Sequence, residues 1–157
     1  GFDSNFKMSP PLRTAKDVEG ILAGLADGTI DCIATDHAPH APEKKLLELD
    51  RAPFGILGLE TAVGLSVTRL IESGRIDWPR FVEAISLLPA RILGINRGTL
   101  RPGAIADVTL IDPSHEWQVD VNSFASKSVN SPFDGWTLRG RAVATIVHGK
   151  GKYRLSS

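Results

Sequence analysis

Apolar positions along the chain change their period near Asn96, and that change divides the reading. From Thr14 onward, Val18, Ile21, Leu22 and Leu25 recur at helical spacing and predict an amphipathic helix. Thr14 and Asp17 are spaced for a capping box at its start, and Gly28 stands at a helix C′ position. The helix feeds a short apolar run, Cys32, Ile33 and Ala34, which predicts a buried strand over 31–35 ending at Asp36. Such a helix and strand form the repeating unit of an α/β sheet or barrel, in which sites lie where strands end.

Four further helices are expected. A short one spans Pro42 to Leu49, followed by a turn region with Pro53, Gly55 and Gly58. The segment Leu59 to Ser73 carries Val63, Val67, Leu70 and Ile71 on one face and stops at Gly74. Asp77 caps the next helix, which buries Trp78, Phe81, Val82 and Ile85, and Pro89 starts a short final one. Beyond Asn96 the period becomes two. Ala142, Ala144 and Ile146 alternate before a glycine-flanked turn at 149–151, which predicts an antiparallel β unit. The Ser- and Asn-rich stretch Asn122 to Trp136 reads as a long ordered connection. Pro10 and Pro11 make residues 1–13 a structured loop.

Composition narrows the function classes. Eighteen Lys and Arg balance eighteen Asp and Glu, so no global field draws the chain onto nucleic acid or an anionic membrane, and a small partner is expected. Cys32 is the single cysteine, which fits a reducing compartment, and no apolar run approaches the ~18 residues of a membrane span; the cytoplasm is therefore expected. The sequence opens Gly1, Phe2, Asp3 with no Met or leader pattern, so a piece of a longer protein is expected.

The chemistry concentrates in Asp36, His37 and His40. Asp36 can be a metal ligand, a general base or the N-cap of the succeeding segment. His40, four residues on and beyond Pro39, can face the same pocket, whereas His37 points away into a structural hydrogen bond. Cys32 reads as a packed thiol, His115 and His148 as surface residues, and Glu43, Lys44 and Lys45 as a solvated face or part of a lid. Arg13 could hold a carboxylate or bond carbonyls around the two prolines. A hydrolytic metal site needs at least three protein ligands, so the set is incomplete.

The runs Lys7 to Arg13 (KMSPPLR), Asp31 to His40 (DCIATDHAPH), Pro53 to Thr61 (PFGILGLET), Pro89 to Gly94 (PARILG), Gly103 to Asp112 and Lys127 to Lys150 resemble, in order and spacing, the C-terminal part of a bacterial-type (class I) dihydroorotase of the amidohydrolase superfamily. The resemblance covers essentially the whole chain. It implies an α/β fold: residues 1–96 as the last strands and helices of a (β/α)8 barrel, and 97–157 as the C-terminal part of a small β-sandwich. A whole barrel usually takes ~200–400 residues, so this one is incomplete by itself.

The family's His-x-His pair, its bridging carboxylate or carboxylated lysine and its two middle-strand histidines have no counterpart here. The resemblance makes Asp36 a zinc ligand and the general base and acid, and makes His40 the anchor of the substrate carboxylate. Backbone at Pro53, Phe54 and Gly55 would contact the pyrimidine ring. Relatives commonly carry Asn where this chain has Ser9, whose shorter hydroxyl would need a water to make the same contact. The implied activity is zinc-dependent, reversible interconversion of N-carbamoyl-L-aspartate and L-dihydroorotate in pyrimidine biosynthesis, with one or two zinc ions. The implied partners are the N-terminal remainder of the enzyme, a second copy, and aspartate transcarbamoylase. Two alternatives are another cyclic-amide hydrolase, dihydropyrimidinase or allantoinase, and a non-catalytic subunit scaffolding aspartate transcarbamoylase. The PPLR run and the His four residues after the acid favour dihydroorotase, and retention of Asp36 and His40 favours catalysis.

Overall fold

The computed structural model describes residues 3–156, so Gly1 and Phe2 of the expected N-terminal loop and Ser157 of the β unit lie outside the described residues. Helix α1 spans Ala15–Asp27. The Thr14 hydroxyl accepts from the Asp17 amide at 3.4 Å while the Thr14 amide donates to the Asp17 carboxylate at 3.0 Å, the predicted capping box. Only the C-terminal end of its apolar stripe is used. Leu25 is buried with Ile76, Phe81 and Ala84, whereas Val18 and Ile21 are 49% and 59% exposed, because nothing among the described residues covers them. Arg80 donates to the carbonyl of Leu25 at 2.7 Å, a group that the helix end leaves without a partner, and to that of Ile30, beyond the helix, at 2.6 Å.

The expected strand at 31–35 is not a strand. These residues carry no ladder bonds to a neighbouring strand and are half-buried or exposed. A parallel strand exists only beside another, and no neighbour is present among the described residues. What holds the segment is a helix. α4 (Trp78–Val82), a π turn (Glu83–Leu87) and α5 (Leu88–Ile92) run continuously, so Pro89 lies inside a rod and does not start a helix of its own. In the π register the Leu88 amide donates to the Glu83 carbonyl, and Pro89, with no N–H, cannot donate to that of Ala84. The Ala84 carbonyl is thereby left for the Ile33 amide, which donates to it at 3.0 Å. Phe81 is fully buried in this rod as predicted, but Val82 is 48% exposed.

α2 is shorter than predicted, Pro42–Lys45, and the Leu59 to Ser73 pattern becomes α3 (Ala62–Ser66) continued by a π turn (Val67–Ile71). The β unit is antiparallel as expected. β1 (Val108–Gln118), β2 (Thr137–Val147) and β3 (Lys150–Arg154) pair in that order, with a bulge in β1 around Pro113, where a ladder donor is missing. His148 and Gly149 join β2 to β3 with φ of 49° and 73°, the two positive values of a type I′ turn. The Asp107 carboxylate accepts the His148 amide at 2.8 Å, and that hydrogen bond, with Arg97 beside it, holds its carboxyl below the usual value.

Sheet and helices share their packing. The second core cluster, Val119, Val121 and Leu138, takes in Leu65 from α3, and the first takes in Ile111 from β1. No helix among the described residues is long and apolar enough to cross a membrane.

Candidate active site

The loop after the 31–35 segment begins at Asp36, whose φ of 45° is in the left-handed region that few residues other than glycine, asparagine and aspartate tolerate. Its side chain is exposed and, among the described residues, accepts no hydrogen bond. His37 turns the other way. Its Nδ1 accepts from the amides of Gly58 and Leu59 at 3.2 and 3.3 Å, the structural role expected of it. The loop continues against Pro53–Gly58: the Ala38 amide donates to the Ile56 carbonyl at 2.9 Å, and His40 Nε2 lies 2.8 Å from the Phe54 carbonyl, to which it donates.

Four of the sequence-predicted residues therefore converge, namely His40, Pro53, Phe54 and Gly55. Gly55 has a φ of 106°, and a Cβ on it would stand 2.6 Å from that of Ala38 and 3.7 Å from His40 Nε2. Asp36 opens the same loop. Ser9 is exposed beside Pro10 and makes no hydrogen bond with these residues among those described. Arg13 is exposed and pairs with Asp17 at 3.6 Å. Cys32 is free and half-buried, less enclosed than a buried strand would make it. His115 is half-buried within β1, and His148 is exposed.

Three residues that build the site were not singled out by pattern. Lys45, expected on a solvated face, is 6% exposed. Its ammonium donates to the carbonyls of Ser4, Pro53 and Gly55 at 2.7, 3.1 and 3.2 Å, and the Ser4 hydroxyl donates back to the Lys45 carbonyl. Burial lowers its pKa from the ordinary lysine value, Asp3 partly opposes that shift and Lys7 adds to it. Lys7 donates to the Ala52 carbonyl at 2.6 Å, lies 4.5 Å from the Phe54 ring centroid, and accepts the Gly55 amide on its own carbonyl at 2.9 Å. Asn130, 3% exposed, bonds to both loops. The only local signal was Lys7 and Asn130 standing inside recognisable runs; nothing marked Lys45.

Replacing Lys45 by Met removes the donor to Pro53, whose carbonyl has no other partner among the described residues. A stability loss of about 1–3 kcal/mol is expected, read as a lower denaturation midpoint.

The donor set tests the fit to a metal. Asp36 offers two free carboxylate oxygens, but His37 Nδ1 and His40 Nε2 are already engaged. Among the described residues no three of His, Cys, Asp and Glu gather closely enough to hold an ion. Asp36 fits one ligand position; the described residues do not make a centre.

Comparison with known proteins agrees with this picture of part of a larger site. The amidohydrolase family model matches residues 8–151. The chain is 56% identical over 154 residues to a protein named dihydroorotase from Citrifermentans bemidjiense and 54% identical to one from Geobacter metallireducens, in each case covering 98% of this chain and 36% of the relative. It thus spans about a third of the length of these curated relatives. Among solved structures, an L-hydantoinase (dihydropyrimidinase) from Arthrobacter aurescens superposes with a TM-score of 0.89 at 33% identity, over 96% of this chain and 34% of that one. A D-hydantoinase (dihydropyrimidinase) from Thermus sp. gives 0.88 at 33% identity over the same shares.

Proposed function

The chain belongs to the amidohydrolase family, and from that premise we propose that it is the C-terminal portion of a dihydroorotase. Residues 1–96 would complete the barrel and 97–157 the sandwich. The observation that carries the reading is the His40 ring, fastened to the Phe54 carbonyl four residues after a free carboxylate at Asp36. Relatives at 53–56% identity that bear the dihydroorotase name support it.

Ring opening of dihydroorotate cleaves an amide C–N bond with one water. Asp36 takes a proton from the attacking water and returns it to the departing nitrogen, so one carboxylate serves both half-steps and is regenerated. With Nε2–H given to Phe54, His40 meets a substrate carboxylate through Nδ1, and donating there requires the imidazolium form, which also supplies a countercharge. The backbone at Pro53–Gly55 borders the ring. When bound, zinc, one ion or two, would supply Lewis-acid polarisation of the amide carbonyl, and Asp36 would give it one oxygen, with the other ligands coming from beyond the described residues. The enzyme would act in the cytoplasm as a homo-oligomer, with aspartate transcarbamoylase a candidate associate.

A second reading, dihydropyrimidinase, draws on the two hydantoinase structures. Zinc-loaded full-length protein separates them: hydrolysis of dihydroorotate with dihydrouracil inert supports dihydroorotase, and the reverse pattern supports the second reading. Inertness toward both, with zinc refused on reconstitution, would leave a scaffold.

A further inference from the structure

We propose that Asn130, in the connection between β1 and β2, is a positioning residue for the carboxylate-binding end of the site and acts through His40. The inference rests on the dihydroorotase reading and extends it to a residue 90 positions away from His40. Every polar group of Asn130 is assigned except its own amide N–H. Its Oδ1 accepts the His40 amide at 3.1 Å, and its Nδ2 donates to the carbonyls of Ala38 at 2.9 Å and Gly55 at 3.3 Å. Its own carbonyl accepts the Leu57 amide at 3.0 Å. One side chain thereby fixes both strands of the pocket wall: the 38–40 loop that carries the imidazole and the 55–57 loop next to the carbonyl which orients that imidazole.

Only a carboxamide can do this at that length. It accepts on one atom and donates twice from another, whereas a carboxylate has no donor and an aliphatic chain has neither. Asn130 is buried, so water has little access to replace the lost bonds. Among the described residues its side chain makes no hydrogen bond to the strands of the β unit. Its contacts therefore serve the loops more than the sheet.

The test uses zinc-loaded full-length protein and dihydroorotate kinetics for Asn130→Ala, Asn130→Asp, His40→Ala and the Asn130→Ala/His40→Ala double variant, each checked for folding by circular dichroism. Asn130→Ala is expected to raise KM by ~10- to 100-fold with kcat changed far less, as misplacement of a binding group does. In the His40→Ala background the same change should add almost nothing. Asn130→Asp keeps the acceptor for the His40 amide but sets a buried carboxylate oxygen against the carbonyls of Ala38 and Gly55, so its KM should rise at least as far as that of Asn130→Ala. An unchanged KM, a loss confined to kcat, or additive effects in the double variant would each overturn the proposal. So would failure of both Asn130 variants to fold, which would make the residue purely structural. If His40→Ala raises KM and the Asn130 variants do not, Asn130 alone loses its role. If His40→Ala leaves KM unchanged, the carboxylate-anchor reading of His40 fails first and takes this proposal with it.

Discussion

Asp36→Asn in the zinc-loaded full-length protein is expected to lower kcat by ~10²- to 10⁴-fold, the range lost when a general acid–base group is removed. With zinc removed, the same variant should unfold at nearly the wild-type temperature. Two observations separate activity from stability here. The carboxylate is exposed and accepts no hydrogen bond among the described residues, so none of their contacts depends on its charge. The backbone at φ 45° is one that asparagine tolerates at least as well as aspartate, so the exchange adds no strain. The change therefore removes a proton acceptor and one ligand oxygen while keeping shape. Steady-state kinetics beside thermal unfolding decide it: turnover within a few-fold of wild type would strip Asp36 of its role, and a large fall in unfolding temperature would show a structural part that the geometry does not contain.

Gly55→Ala should have the largest effect on the wall of the site. The new methyl would stand 2.6 Å from the Ala38 Cβ, and the φ of 106° is outside the regions that L-residues populate. Backbone strain of about 1–3 kcal/mol adds to an overpacking cost of about 1–3 kcal/mol. The loop from Ala38 to His40 must move outward to relieve the contact, and its bonds to Ile56, Phe54 and Asn130 all cross that gap. We expect a stability loss of about 2–6 kcal/mol, together with a raised KM for dihydroorotate in whatever fraction folds. Denaturation midpoints and kinetics on the same preparation measure both; a variant with unchanged midpoint and KM would mean that His40 does not depend on this close approach.

Features written in neighbouring residues were legible in the sequence. The capping box at Thr14 and Asp17, the Asp77 cap and the antiparallel pairing of the last strands all follow from local chemistry. Asp36, His40 and the Pro53–Gly55 turn stood out because their residue types are unusual in those positions. The errors share a cause. Residues 31–35 have the composition of a strand, but a strand is a relation between two segments and its neighbour is not among the described residues. Lys45 has the composition of a surface, yet the carbonyl of Ser4, 41 positions away, and those of Pro53 and Gly55 gather around its ammonium. Val18 and Ile21 have the period of a buried face, yet none of the described residues covers them. Asn130 reads as one more turn-former in a Ser-rich connection, and its partners are 75 to 92 positions away. Periodicity reports what a segment could bury or pair, not what arrives to meet it.

Pro89 shows how far such a meeting can reach. By withholding a hydrogen it keeps the Ala84 carbonyl free for Ile33, three residues before Asp36. Any other amino acid at position 89 would offer the rod its missing bond and set helix against the segment leading to Asp36 in competition for one oxygen. Displacement of Asp36 would then be inherited through a residue of the rod, and a screen for inactive variants would find it in the middle of a helix.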